Sequence, residues 1–151
     1  MESVLHTDNS MTERDLVAYE TTRVIIGGFS YVYNQLGFGF IESVYHRALG
    51  NTLERSGCRV DREAALEVAF EGQVVGVFRA DLVIDGRVIV EVKACEHITR
   101  AHEAQVINYL RASGLPVGLL LNFGPQPTYK RLVGPAANRL RDLPVEGPAS
   151  F

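Results

Sequence analysis

The stretch that most limits how this chain can fold is Arg79 to Ala94, R-A-D-L-V-I-D-G-R-V-I-V-E-V-K-A. Alternating β-branched residues on either side of Asp85-Gly86 predict two strands joined by a tight turn. Asp81, Glu91 and Lys93 stand inside these otherwise apolar strands. A buried charge is costly unless it is paired or holds a metal. The hairpin therefore encloses either an ion-pair cluster or a reaction site.

Register separates the two cases. A simple two-residue turn would pair Asp81 with Val90 and put Asp81 and Glu91 on opposite faces. A three-residue loop, Ile84-Asp85-Gly86, pairs Asp81 with Ile89 and sets the two carboxylates diagonally on one face. Glu91 and Lys93, two residues apart, share a face in any register. The sequence reading favours the bulged loop.

The elements around this hairpin follow from periodicity. Thr12-x-x-Asp15 is a capping-box start to a long first helix that ends at Gly37-Phe38-Gly39. Gly27-Gly28 in its middle costs about 1 kcal/mol per glycine relative to Ala, which points to close approach by another element or a kink. A second helix runs from about Phe40 to Ser56, with Gly57 as C-cap, and carries Glu42 at the edge of its apolar stripe. Val60–Phe70 reads as extended, with a turn at Glu71-Gly72, then the hairpin strands Val74–Ile84 and Arg87–Ala94. Glu63, in the first strand, reads as a surface residue. A third helix over Thr99–Ser113 bears Gln105 and stops at Gly114. Pro116–Asn122 is a fully apolar strand, as expected for one covered on both faces, and Thr128–Val133 is the last.

This order predicts an α/β (α+β) fold with one mixed central β-sheet flanked by helices. Residues 1–11 read as an N-terminal arm, 12–133 as a single domain and 134–151 as a flexible tail. With 151 residues, 46% hydrophobic and 22% charged, the chain has an ordinary globular composition. The net charge of −3 gives no support to a broadly basic nucleic-acid-coating surface. Two cysteines, no secretory leader and no bilayer-length apolar run predict a cytoplasmic protein without a membrane segment.

Two carboxylates on one face suit a hard divalent cation, Mg²⁺ or Mn²⁺, and a neighbouring lysine suits a developing oxyanion or an attacking water. Cys95, His97 and His102 form a weaker zinc candidate. Lys130, Arg131, Arg139 and Arg141 form a mildly basic region that reads as solvated surface.

Asp81 followed by Glu91-Val92-Lys93 resembles the D…(D/E)-x-K core of PD-(D/E)XK nucleases. Gly39-Phe40-Ile41-Glu42-Ser43-Val44-Tyr45, His102-x-x-Gln105, Asn108-Tyr109-Leu110-Arg111, Gly118–Gly124 and Lys130-Arg131-Leu132 are together similar to the GxxExxY protein family of that superfamily. The resemblance covers residues 12–133 and implies a restriction-endonuclease-like sheet. It also implies a metal-dependent phosphodiester hydrolase acting on DNA or RNA. Asp81 and Glu91 would be metal ligands completed by Glu42, Lys93 the catalytic lysine and Gln105 an auxiliary polar residue. Ala80 replaces the superfamily's proline, and Tyr33 and Phe38 replace a His and a Pro frequent in the family. The rival reading is a non-catalytic nucleic-acid-binding or assembly module on the same fold. A homodimer through the first helix, using Gly27-Gly28, Phe29, Tyr31 and Tyr33, is compatible with both. Tyr45 and Tyr109 read as packing residues.

Overall fold

The computed structural model describes residues 12–134; the expected arm and nearly all of the expected tail lie outside them. Three helices and five strands follow in the order α1 (Glu13–Leu36), α2 (Glu42–Arg55), β1 (Val60–Phe70), β2 (Gln73–Ile84), β3 (Val88–Lys93), α3 (Arg100–Ser113), β4 (Val117–Asn122) and β5 (Thr128–Val133). The strands form one mixed sheet in sequential order β1 to β5. Only β3 and β4 are parallel, and α3 supplies the crossover that a parallel pair requires.

Two apolar clusters sandwich the sheet. On one face Leu82, Ile84, Val88, Val90, Val92, Leu119 and Leu121 pack under α1 and α2 residues such as Ile25, Phe29, Tyr45 and Leu49. On the other, Ile89, Leu120 and Leu132 meet Val106, Tyr109 and Leu110 of α3. Both faces of β4 are covered, which accounts for its unbroken apolar run. Among the described residues no helix is long and apolar enough to cross a membrane.

Local chemistry sets the helix limits. Thr12 and Asp15 form the reciprocal capping box at α1, and Gly114 closes α3 in the left-handed conformation. Helix α2 starts at Glu42 and is capped at Ser56, shorter at its N-terminus than the sequence pattern suggests. Gly28 has the expected reason for being glycine. A Cβ there would lie 3.0 Å from Leu53 and 3.5 Å from Leu49, so α1 and α2 cross closely at this point. Phe29 is fully buried and the Tyr33 hydroxyl donates to the carbonyls of Gly124 and Pro125. Of the three aromatics assigned to a dimer face, only Tyr31 remains exposed.

The hairpin register differs from the expected one. Asp85 and Gly86 both adopt positive φ, and Arg87 N–H donates to the Ile84 carbonyl. Ile84 nevertheless pairs with Val88, Val83 with Ile89 and Leu82 with Val90. The extra residue is thus Arg87, after the turn, rather than Ile84 before it. Continued by one step, this register sets Asp81 directly opposite Glu91 instead of diagonal to it. The expectation of one shared face survives because either odd-length loop preserves parity, whereas the two-residue turn does not.

A second irregularity lies next to it. The β1–β2 ladder pairs Arg62 with Leu82 and Ala64 with Ala80, skipping Glu63 and Asp81. Glu63 has φ of 50°, a left-handed conformation costing about 1–2 kcal/mol outside glycine. Alternation reverses there. Leu82 and Ile84 face α1 and α2, yet Ala80 and Phe78, of the same parity, face α3. Val60 and Ala64 show the same reversal on β1. The outer half of the β1–β2 hairpin is turned over to pack on α3.

The segment leaving β3 is clamped from β4. Asn122, fully buried, accepts from Cys95 N–H and donates to the Cys95 carbonyl, and Phe123 N–H donates to the Lys93 carbonyl at 2.8 Å. A Cβ on Gly124 would lie 2.0 Å from the Cys95 carbonyl oxygen. Because backbone stands on both sides of that contact, Gly124→Ala is expected to destabilise the fold by about 1–3 kcal/mol, measured as a lowered midpoint in chemical denaturation. An unchanged midpoint would show that the clamp is loose.

Candidate active site at the β2–β3 gap

The two carboxylates sit where the β2–β3 ladder ends. Glu91 Oε1 accepts from Asp81 N–H at 2.9 Å, and Asp81 Oδ2 accepts from Val92 N–H at 2.8 Å. Each acid therefore satisfies a backbone donor on the opposite strand that the ladder leaves open, as buried N–H groups require. The Asp81 carbonyl accepts from His46 Nε2 at 2.8 Å. A carbonyl can only accept, so this bond fixes the proton on Nε2. Asp81 is consequently held through its N–H, carbonyl and side chain to three different residues on two other elements.

Glu91 is 4% exposed. Burial, and next the negative charge of Asp81, push its pKa up to about 8. The hydrogen bond from Asp81 N–H and the positive charge of Lys93 pull the other way without compensating. Lys93 is half-buried two residues along the same strand.

Helix α3 closes the α3-side wall. Gln105 Nε2 donates to the Tyr109 hydroxyl at 2.8 Å, and the Tyr109 ring stacks on Phe78 at 4.6 Å between centroids. Burial and then the charges of Glu91 and Asp81 raise the pKa of the Tyr109 phenol, against the hydrogen bond from Gln105. Both carboxylates thus act electrostatically on Tyr109, a residue that periodicity alone assigns to packing. The signal available in the sequence is its spacing from Gln105: four residues on a helix put them on one face.

The structure brings Asp81, Glu91, Lys93, Gln105 and Tyr109 into one region. Glu42 is placed differently. It is exposed in the first turn of α2, and among the described residues no three His, Cys, Asp or Glu side chains are grouped to hold a metal. Glu42 nonetheless lies one turn before His46, hence on the helix face that meets Asp81. Tyr45 is a positioning residue: fully buried and stacked on Phe123 at 4.5 Å, it donates to the Gly37 carbonyl and accepts from Phe40 N–H. That fixes the loop delivering Glu42. His46, which the sequence pattern does not single out, ties the same helix to Asp81.

The zinc set does not converge. His102 Nδ1 accepts from Thr99 N–H in the α3 capping box, and the Cys95 thiol donates a hydrogen bond to the His97 carbonyl. Lys130 pairs with Glu103 at 2.5 Å, so it is not a free basic surface group. Glu63 is exposed, with its carbonyl accepting from Arg79.

The domain is thus a mixed sheet with helices on both faces, carrying two acids and a lysine on one hairpin. A sequence profile of the PD-(D/E)XK nuclease superfamily matches residues 19–132, and the chain belongs to that superfamily. No curated protein matches the chain. The crystal structure of SSO0001 is similar at a TM-score of 0.48 and 20% identity, covering 81% of this chain and 61% of that one. The chain thus spans less than two thirds of that protein.

Titration of Glu91 gives a test with a definite sign. In the unfolded chain its proton leaves near the ordinary value of 4.5, and in the folded protein near 8. Between those values the folded state binds more protons, so stability falls as pH rises, by up to ~1.4 kcal/mol per pH unit. Above the window the loss levels off. Denaturation in EDTA is expected to show Glu91→Gln gaining on the wild-type protein from pH 5 to pH 8. Parallel curves for the two proteins would refute the raised pKa.

Proposed function

We propose that this protein is a Mg²⁺- or Mn²⁺-dependent phosphodiester hydrolase of the GxxExxY branch, acting on DNA or RNA. The observation that carries the reading is the carboxylate pair where the β2–β3 ladder ends, Glu91 buried and Asp81 half-buried, with Lys93 beside it. A pair so arranged is unfavourable for the protein alone, because burial and mutual repulsion oppose ionisation of Glu91. A hard divalent cation is the complement to that arrangement. Asp81 and Glu91 would hold it, with Glu42 reaching in from the α2 face that meets Asp81. Oxygen ligands beyond these would come from water and from the phosphate, as suits Mg²⁺. Such a cation supplies Lewis acidity and charge neutralisation at the phosphorus centre.

The chain's own groups do the remaining work. Lys93 orients the attacking water and stabilises negative charge on the phosphoryl oxygens. His46 fixes the Asp81 backbone and with it the direction of the Asp81 carboxylate. The Tyr109 hydroxyl accepts from Gln105, which leaves its own proton to donate to a carboxylate or phosphate oxygen.

A second reading, a non-catalytic nucleic-acid-binding module, draws on Tyr33. This residue stands where many family members carry histidine, and its hydroxyl bonds the Gly124 and Pro125 carbonyls. That is a packing role. A homodimer is compatible with either reading.

Labelled single- and double-stranded DNA and RNA, incubated with Mg²⁺ or Mn²⁺, discriminate between the two. Cleavage is expected to require the metal, and to fall about 10²–10³-fold in Lys93→Ala. It is expected to disappear in Asp81→Asn and to be reduced in Glu42→Gln. Cleavage that survives EDTA, or is equal in Lys93→Ala and the wild-type protein, would reject the hydrolase. Absence of calorimetric Mn²⁺ binding would favour the module.

A further inference from the structure

Beyond Glu63 and Asp81, the outer half of the β1–β2 hairpin has one face packed on α3 and the other left open among the described residues. Ala64, Leu66, Phe78 and Ala80 belong to the α3 side. Their neighbours along each strand alternate to the opposite face. The register Ala65↔Arg79, Glu67↔Val77 and Ala69↔Val74 collects those six residues there, and all six are exposed. Val75, the extra residue where the register shifts, is exposed beside them. Val74, Val75 and Val77 are each more than half exposed. A contiguous apolar patch of this kind on a strand face marks an interaction surface. Its two charged members, Glu67 and Arg79, lie diagonally across the ribbon, and neither joins an ion pair among the described residues. Arg79 donates to the Glu63 carbonyl at 3.3 Å, which leaves its charge without an acidic partner.

We propose that this face is the contact between two copies of the chain, packed face to face about a twofold axis. Edge-to-edge pairing through β1 is disfavoured, because the left-handed Glu63 interrupts that edge. Face packing has a self-complementary solution. A twofold axis between the two faces, perpendicular to the Glu67–Arg79 diagonal, carries Glu67 of each copy onto Arg79 of the other and forms two reciprocal ion pairs. Ala65 and Val77 are the other diagonal of the same four positions. They lie close to that axis and meet their own counterparts, with Val74 and Val75 extending the apolar contact. The ribbons then cross nearer to the orthogonal than to the aligned packing of sheets. A second copy matches both charges with none left over, which is what favours it over an unlike partner. Burial of the valines drives the association, and the ion pairs set its direction. The residues involved are few beside the roughly 20–30 per side of a standard interface, so the dimer is expected to dissociate in the micromolar range. The contact moves the dimer face from α1 to the hairpin. It is independent of the carboxylate reading and serves a hydrolase and a binding module alike.

Sedimentation equilibrium of the full chain, from about 1 µM to about 200 µM, tests it. The wild-type protein is expected to pass from the chain mass to twice that mass across this range. Val77→Lys is expected to weaken the dimer by about tenfold or more while keeping the denaturation midpoint of the dilute wild-type protein. Glu67→Arg and Arg79→Glu are each expected to weaken it, since like charges then oppose across the axis, and the double variant Glu67→Arg/Arg79→Glu to restore it. A wild-type chain that stays monomeric throughout overturns the contact; loss of oligonucleotide affinity in Arg79→Glu would then assign the face to nucleic acid. A dimer that Val77→Lys and Glu67→Arg leave intact, or a double variant no tighter than the single ones, overturns it as well.

Discussion

The reciprocal exchange between Asp81 and Glu91 is the interaction on which the rest of the arrangement depends. Each carboxylate takes a backbone N–H from the opposite strand where the β2–β3 ladder stops. Side chains replace the missing ladder bonds, so the strands can diverge without stranding buried donors. The groups that take over where the ladder stops are acids. The price is a Glu91 that burial and Asp81 together hold protonated well above the usual carboxylate range. A group kept in that condition makes the folded protein less stable at neutral pH than in mild acid.

The surrounding elements fix this gap from three sides. From α2, His46 holds the Asp81 carbonyl, while Tyr45 pins the loop that leads into Glu42. From β4, Asn122 and Gly124 clamp the backbone just beyond Lys93. From α3, Tyr109 and Gln105 form a hydrogen-bonded pair on the side of the carboxylates. The left-handed Glu63 opposite Asp81 belongs to the same local distortion. It lets one hairpin serve both faces of the sheet, with Leu82 and Ile84 under α1 and α2, and Ala80 and Phe78 under α3.

Much of this was legible in the sequence because it depends on local chemistry. The capping box at Thr12, the Gly114 stop and the double-sided burial of β4 follow from residue type and period. Gly27-Gly28 pointed to close approach by another element or a kink; at Gly28 that element is α2, while a Cβ on Gly27 would meet nothing within 4 Å. The shared face of Asp81 and Glu91 followed from parity once an odd-length loop was assumed. Tyr45 was read as a packing residue, and its full burial against Phe123 agrees. The superfamily was recognisable from acids and a lysine at fixed spacing, together with motifs on neighbouring elements.

Other features required the folded chain. The position of the bulge at Arg87 was decided by how β2 and β3 pack, since Asp85-Gly86 accepts an extra residue on either side. Tyr109 packs as expected, buried against Phe78, but no periodicity shows that carboxylates from β2 and β3 also act on its hydroxyl. His46 is one histidine among four in the sequence; only the docking of α2 against β2 sets its ring on the Asp81 carbonyl. The sequence by itself determined the elements, the charged hairpin and the parity of its acids, because those rest on contacts within a few residues. Tertiary structure alone decided that the ladder stops at those acids and that the acids take its place. That outcome depends on the energy of unpaired backbone donors between strands, which no local pattern records.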